Sequence, residues 1–347
     1  MKKVTIIGAA GFGGAGLIEI LTRHPGFSIK QLIEKKDIGI SVSDIFPHLR
    51  GTCDLTLNSP DNVDFDTDIV FFSTPDRAGM EIINEYYKKG IPVIDFSGDF
   101  RFKSTEEYAV YANNKGIDDK HLAPHLLKES VYGLPEKNRK AIAEAKIVGN
   151  PGCFATAMIL GMLPAMDEGI IISDTIICDG KTGVSGAGKN SGETNLYPQR
   201  YENINAYREG HHQHLVETEN IINAKNKTSK KILFVPQIAP ITRGILATIY
   251  ADIKEGCDTK KIEDLYNDYY KGEPFVSITS RSPGTADVKG SNRCIIKPAV
   301  DQRTGKLFVT AVIDNLMKGQ SGNAVQSANI MMGFDETTAL NMPGFYP

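Results

Sequence analysis

Residues 4–7, Val4-Thr5-Ile6-Ile7, form a β-branched run that reads as a buried strand. A glycine-rich turn follows at once. Leu17, Ile18 and Leu21 then recur at helical spacing until His24-Pro25-Gly26 stops the helix. Residues 28–33 and 68–73 read as the next strands. Asp76 stands where it could cap a helix carrying Met80, Ile83 and Tyr87 on one face. Lys88-Lys89-Gly90 ends that helix with the cations and glycine that a helix dipole and a left-handed cap favour. Residues 92–96 and 146–149 are further strands. Strands alternating with helices predict a parallel sheet, and a glycine turn after the first strand predicts a ligand at its carboxyl end.

The pattern changes after about residue 150. An apolar helix over 154–166 leads into strand-like stretches at 175–178, 231–235, 245–253, 294–297 and 307–313. Between them, Ile262, Leu265, Tyr266 and Tyr269 mark an amphipathic helix over 261–270, residues 223–230 read as a polar loop, and residues 324–332 are helical again. The expected fold class is therefore α/β: a Rossmann-type parallel-sheet nucleotide domain plus an α+β catalytic domain on a mixed or antiparallel sheet. The expected boundaries are 1–149 for the nucleotide domain, completed by a C-terminal helical segment over 318–347, and 150–317 for the catalytic and oligomerisation domain.

Composition narrows the function classes. Of 347 residues, 41% are apolar and 23% charged, which suits a folded globular protein and excludes disorder or a collagen-like repeat. The net charge of −3 gives no basic stripe for a nucleic-acid backbone, although a few local donors can still hold a small anion. The run after Lys2-Lys3 is broken by Gly8, Gly11, Gly13, Gly14 and Gly16, which makes a poor export signal. The other long apolar run, 153–166, contains Pro164 and falls short of the ~20 residues of a membrane span. A cytoplasmic protein with no membrane or nucleic-acid partner is expected. Five cysteines without a C-x-x-C pair read as reduced thiols, with no disulfide framework and no metal.

Several motifs carry candidate chemistry. Gly8-x-x-Gly11-x-x-Gly14 lets backbone approach a pyrophosphate and aims helix amides at it. Glu34 ends the second strand, where an acid suits the ribose of NAD. Lys35 and Lys36 follow and could balance a 2′-phosphate, and a solvated charged turn is the third reading. In Asn150-Pro151-Gly152-Cys153 the cysteine falls in the first turn of the apolar helix, where the helix amino terminus stabilises a thiolate. Cys178 and Cys294 lie in apolar strands and read as inert. His211-His212-Gln213-His214-Leu215-Val216-Glu217 admits a metal site, a histidine base oriented by Glu217, or a polar surface loop. If extended, it puts His212 and His214 on one face. Residues 179–189 and 318–324 are glycine-rich, suited to an anion or a wrapped ligand or serving as linkers. Arg101 and Arg243 are the isolated cations best suited to a carboxylate or phosphate.

Taken together, GAAGFGGAGL, FPHLRG, VIDFSGDFRF, YGLPE, VGNPGCFAT, DGKTGVSGAGK, His212-x-His214-x-x-Glu217, RGIL and DNLMKGQSGNAVQ resemble the N-acetyl-gamma-glutamyl-phosphate reductases, relatives of aspartate-semialdehyde dehydrogenase, over nearly the whole chain. Members often carry Pro-His-Gly where this chain has Pro75-Asp76-Arg77. The resemblance implies a cytoplasmic, NADPH-dependent acyl-phosphate reductase of arginine biosynthesis that is a homodimer or homotetramer. It implies Cys153 as the nucleophile but leaves open which imidazole meets the sulfur; the expected proton shuttle is His212, with His214 in reserve and Glu217 behind them. It implies cofactor contacts at Gly8, Gly11, Phe12, Gly13, Gly14, Ser73, Thr74, Ser185, Gly186 and Asn323. Substrate contacts are implied at Arg101, Asn150, Ser185, Tyr207 and Arg243. The same chemistry on aspartyl phosphate or a carrier-bound aminoadipyl phosphate is the nearest rival. A metal-dependent hydrolase built on the histidine element and a non-catalytic nucleotide-binding regulator are more distant ones.

Overall fold

A computed structural model of the chain describes residues 1–189 and 192–346, and divides into two compact units. The first comprises Met1–Ala109, Asp118–Pro151 and Gln320–Asn341; the second comprises Val110–Ile117, Gly152–Gly319 and the residues from Met342 on.

The first half of the chain runs β1 (Lys2–Ile7), α1 (Phe12–Leu21), β2 (Phe27–Ile33), α2 (Val42–Ile45), β3 (Leu57–Asn58), β4 (Ile69–Phe72), α3 (Ala78–Lys88), β5 (Val93–Asp95), α4 (Thr105–Lys115), β6 (Ser130–Tyr132), α5 (Pro135–Glu144) and β7 (Ile147–Gly149). The strands form one seven-stranded sheet in the order β3-β2-β1-β4-β5-β7-β6, every pair parallel. All four residues of β4 are buried, as a strand covered on both faces requires. Ile33, Ile7, Phe72, Asp95, Gly149 and Tyr132 lie level across the sheet. The residues that follow them therefore emerge along one carboxyl edge. Between β1 and β4 the chain reverses its direction of travel through the sheet, and that switch point opens a crevice.

Three local expectations change here. Asp76 does not cap α3: Arg77 is the N-cap, and Asp76 Oδ1 instead accepts from the amide of Gly98 at 2.9 Å. Tyr86, not Tyr87, joins Met80 and Ile83 on the buried face. The short strands β3 and β6 and the helices α4 and α5 were not expected.

The second unit holds α6 (Cys153–Asp167), β8 (Thr175–Thr182), α7 (Tyr197–Arg200), β9 (Asn205–Ala206), α8 (His214–Asn223), β10 (Lys231–Ile238), β11 (Ile245–Asp252), α9 (Thr259–Tyr269), β12 (Val276–Ile278), β13 (Cys294–Asp301) and β14 (Lys306–Ile313); α10 (Gly322–Met331) then belongs to the first unit. Its sheet has the mixed order β12-β13-β14-β11-β8-β10-β9. Strand alternation turns Ile176, Cys178, Phe234, Ala247, Ile249, Val309 and Ala311 inward. On the outward face, Leu233, Ile177, Tyr250 and Phe308 stand opposite one another in a row across β10, β8, β11 and β14.

Helix α6 is apolar on all sides and residues 154–167 are all buried. Pro164 lacks the N–H that would bond the carbonyl of Leu160, a change that alone costs a helix interior ~3 kcal/mol. The hydroxyl of Tyr270 donates to that carbonyl instead, and Tyr266 donates to the carbonyl of Gly161 at 2.7 Å. Two tyrosines at the end of the helix over 259–269 thus bond carbonyls of α6 in the turn before its proline. No helix among the described residues is long and apolar enough to cross a membrane.

Candidate active site

In the first unit the crevice is built from backbone. Gly8 has φ +84°, and a side chain there would meet the carbonyl oxygen of Ser73 at 2.4 Å, so only glycine fits between β1 and β4. A Cβ at Gly13 would lie 2.5 Å from Ser73 Oγ and 3.2 Å from Gln320 Nε2. Helix α1 starts at Phe12 behind Gly11, with no side-chain cap and no acid in its first turn, so its amides are free to meet an anion. Thr74 Oγ1 and Gln320 Oε1 are buried in the same unit without a partner. A cradle that a Cβ would fill, open helix amides and orphaned polar atoms fit a dinucleotide. Glu34 sits at the end of β2, and its Oε2 accepts from the amide of Ala10 at 3.2 Å while Oε1 accepts from Lys35 at 2.9 Å.

Asn150 and Asn323, both buried, are bound to each other: Asn323 Nδ2 donates to Asn150 Oδ1 at 2.8 Å and to the carbonyl of Gly133 at 2.6 Å. Arg101 donates from Nε to the carbonyl of Asn150 and from Nη2 to that of Phe96, both at 2.7 Å. These contacts make Arg101, Asn150 and Asn323 a joint that fixes the chain leaving β7. Beneath Arg101, Asp95 and Asp99 are both fully buried, and burial pushes both carboxyls well above the usual range. Ser97 Oγ donates to Asp95 and accepts from the amide of Asp99.

In the second unit Gly152 is the N-cap of α6 and Cys153 its first, half-buried residue. Glu217, only 1% exposed, accepts the Gly152 amide on Oε2 at 3.1 Å and has Oε1 4.0 Å from His214 Nε2. A Cβ at Gly152 would stand 2.3 Å from His214 Nε2, so this turn and the histidine element are packed without room for a methyl group. The segment is not extended. His214 opens α8, and the rings of His212 and His214 meet edge-on with centroids 4.7 Å apart. His212 Nδ1 accepts from the amide of His214 at 3.2 Å, which leaves the ring proton on Nε2. Phe154, Phe234 and Tyr207 surround His212, and burial lowers its pKa to about 3, so the ring is neutral near pH 7. Burial also pushes the Tyr207 hydroxyl up. Cys178 is buried in β8 with its thiol pushed up by the same cause, an inert packing residue.

Ser185 anchors the second glycine-rich loop: its amide donates to Thr242 O at 3.1 Å and its Oγ accepts from Asn315 Nδ2 at 3.0 Å. Gly186 follows it in a short 3₁₀ turn. Arg243 pairs with Asp314, whose carboxylate is completely buried. Among the described residues no three His, Cys, Asp or Glu side chains come together as a metal site.

Residues 3–145 match the family described as semialdehyde dehydrogenase, NAD binding domain, and residues 153–315 match that described as semialdehyde dehydrogenase, dimerisation domain. The N-acetyl-gamma-glutamyl-phosphate reductase of Bacillus cereus is 39% identical over 98% of this chain and 99% of its own length; that of Geotalea daltonii is 40% identical over the full length of both. The chain belongs to the N-acetyl-gamma-glutamyl-phosphate reductase family. Among solved structures, aspartate semialdehyde dehydrogenase II of Vibrio cholerae, complexed with ASA, is similar in fold, with TM-score 0.73 at 18% identity over 96% of this chain and 98% of its own.

This member of the reductase family has a strained backbone at Arg77. This non-glycine N-cap of α3 has φ +73°, a left-handed conformation that costs any residue but glycine. Its amide bonds Asp99 Oδ2 at 2.8 Å and its guanidinium pairs with Asp118 at 2.9 Å, contacts that hold the unusual conformation. Sequence reasoning singled out neither Asp314 nor Asn315 and reached Gln320 only within the glycine-rich 318–324 stretch. All three stand in the DNLMKGQSGNAVQ block that carries part of the family resemblance, and an adjacent acid and amide directly after the last strand were the available signal.

Proposed function

We propose that this chain catalyses the NADPH-dependent reduction of N-acetyl-gamma-glutamyl phosphate to N-acetylglutamate semialdehyde and phosphate, in arginine biosynthesis, through a thioester on Cys153. The observation that carries the reading is the clasp of Gly152 by Glu217 and His214, which fixes Cys153 as the half-buried first residue of a helix that is buried from Phe154 on. A thiolate at a helix amino terminus is stabilised and, half-buried, can reach a substrate.

The Cys153 thiolate attacks the acyl carbon, the carbon–oxygen bond to phosphate breaks, and phosphate leaves with the electron pair. Arg243 offers a cation to that anion, and the backbone amides near Ser185 and Gly186 supply further donors. Gly8, Gly11, Phe12, Gly13 and Gly14 with Ser73 and Thr74 would hold NADPH, which when bound supplies the hydride that reduces the thioester. His212, neutral with its proton on Nε2, donates to the oxygen that becomes negative and takes the proton back as the aldehyde forms and the thiolate departs. Glu217 keeps His214 and the Gly152 amide in register. Arg101, Asn150 and Asn323 brace the approach to the turn.

The chain is also proposed to work in the cytoplasm as a homo-oligomer, joined through the outward face of the second sheet. Leu233, Ile177 and Tyr250 are 40–47% exposed there, an apolar row that a second copy would cover. The test is phosphate-dependent reduction of NADP⁺ with N-acetylglutamate semialdehyde, run beside NAD⁺ and aspartate semialdehyde. Turnover with the free acetylated substrate, abolished in Cys153→Ser and indifferent to chelator, supports the reading; absence of turnover in the wild type rejects it. Turnover only with a carrier-bound acyl group favours the nearest rival.

A further inference from the structure

We propose that Asp314 is a positioning residue that sets two parts of the second unit at once, the anion-facing edge of Arg243 and the turn packed against Cys153. The inference rests on the reductase reading for the identity of the anion, an acyl phosphate or the phosphate it releases.

Asp314 lies at the end of β14 and is fully buried. Its Oδ1 accepts from Arg243 Nε at 3.2 Å and Nη2 at 3.1 Å, and from the amides of Leu316 and Met317 at 2.8 and 3.2 Å. Its Oδ2 lies 3.0 Å from Arg243 Nε and accepts from the amide of Gly290 at 2.6 Å. A buried carboxylate is costly unless such donors surround it, and here they do. The guanidinium is thereby held by one edge. Its Nη1 has no protein partner among the described residues, and the side chain is 26% exposed, so the remaining edge is open to an anion.

The backbone of the same residue acts in the other direction. The carbonyl of Asp314 accepts from the amide of Gly319 at 3.0 Å, and a Cβ at Gly319 would lie 2.8 Å from Cys153 Cβ. The turn over Met317–Ser321 is a π-helix, a wide turn whose start is tied down by the amides of Leu316 and Met317 on the Asp314 carboxylate. Next to it, Asn315 Oδ1 accepts from the amide of Gly244 at 2.7 Å and its Nδ2 reaches Ser185. One buried acid thus fixes the plane of Arg243 and the glycine that passes over the nucleophile.

The experiment follows alkylation of Cys153 by iodoacetamide, read on the Cys153 peptide by mass spectrometry, with and without inorganic phosphate. In the wild type, phosphate should slow alkylation. In Asp314→Asn the phosphate needed for half-protection should rise at least tenfold, and the unprotected rate should change at least threefold because the turn loosens. Arg243→Gln should lose phosphate protection equally while keeping the wild-type unprotected rate, and the double variant should add nothing to the loss of protection. Wild-type phosphate affinity in Asp314→Asn, full additivity in the double variant, or no protection in the wild type would each overturn the proposal. Should Asp314→Asn fail to fold, Arg243→Gln decides: undiminished protection there overturns it, and loss of protection at an unchanged alkylation rate supports it. A protein that is protected by phosphate but does not reduce NADP⁺ with the semialdehyde would defeat the reductase reading and leave Asp314 in its role.

Discussion

The amide of Gly152 donates to Oε2 of Glu217 across 3.1 Å, joining the residue before Cys153 to the first turns of a helix 65 positions later in the chain. Because Glu217 also faces His214, the turn before Cys153 and the histidine element are parts of one packed cluster.

Gly152→Ala tests that packing. Its φ of −68° suits any residue, so the obstacle is steric: the methyl group would stand 2.3 Å from His214 Nε2 and 2.6 Å from Glu217 Oε1. Overpacking of this kind typically costs about 1–3 kcal/mol, and a displaced nucleophile can lose ~10²-fold in rate. Thermal denaturation and kcat should both fall; a fully active, fully stable variant would show that the cluster yields freely.

His212 should govern rate without contributing an acid limb to it between pH 5 and 8, since its folded pKa is about 3. His212→Asn should lower kcat by about 10²–10⁴-fold, the usual worth of a positioned acid–base group; His214→Asn, compared beside it, separates the two rings. Stability carries the sign of the shift. Below the ordinary value of 6.5 the unfolded chain binds a proton that the folded ring refuses, so this residue makes the fold lose stability as pH falls from about 6.5 toward 3. Denaturant melts of wild type and His212→Asn across that window check it.

Asp99→Asn should act oppositely. Burial raises the Asp95 and Asp99 carboxyls, so above pH ~4 the folded state keeps protons that unfolded carboxylates have released, and the pair's contribution to stability falls as pH rises. The amide keeps an acceptor for the Arg77 N–H without a charge. At pH 8 the variant should melt higher than wild type, by ~2–4 °C for each kcal/mol relieved, and the gain should vanish near pH 4.

Glu34→Gln addresses cofactor choice. A carboxylate at the end of β2, bonded to the glycine-turn amide of Ala10, repels a 2′-phosphate placed nearby. Removing the charge should tighten NADP⁺ binding by roughly tenfold, the effect of about 1.4 kcal/mol, and change NAD⁺ binding much less. Fluorescence titration of both nucleotides measures this without turnover, and equal effects on the two would exclude the electrostatic account.

Ile177→Lys places a charge in the row formed with Leu233, Tyr250 and Phe308. If a second copy covers that face, sedimentation should shift from oligomer to monomer while nucleotide binding to the first unit persists. An unchanged sedimentation coefficient would move the interface elsewhere.

Much of this was legible in the residues. The run of Val4 to Ile7, the glycines after it and the spacing of Leu17, Ile18 and Leu21 announced a strand, turn and helix that the structure contains as β1 and α1. The apolar run after Cys153 likewise marked α6, one residue short at each end. The strands β3 and β6, of two and three residues, are too short to display a period, and their pairing with β2 and β7 defines them. Asp76 looked like a cap because acids often are. The choice fell to Arg77 because the Asp99 carboxylate draws its amide and Gly98 claims the Asp76 side chain.

The chain by itself determined what acts over a few residues: alternation, helical spacing, glycine where backbones cross, and a cysteine directly after a turn. It also carried the family resemblance, because motif order survives without knowledge of the fold. Tertiary structure alone decided which groups face each other across long stretches, such as Asp314 with Arg243, 71 residues apart, and Tyr270 with the carbonyl that Pro164 leaves unbonded. Buried charges and orphaned carbonyls must find partners wherever the fold brings them, and no local pattern specifies where that is.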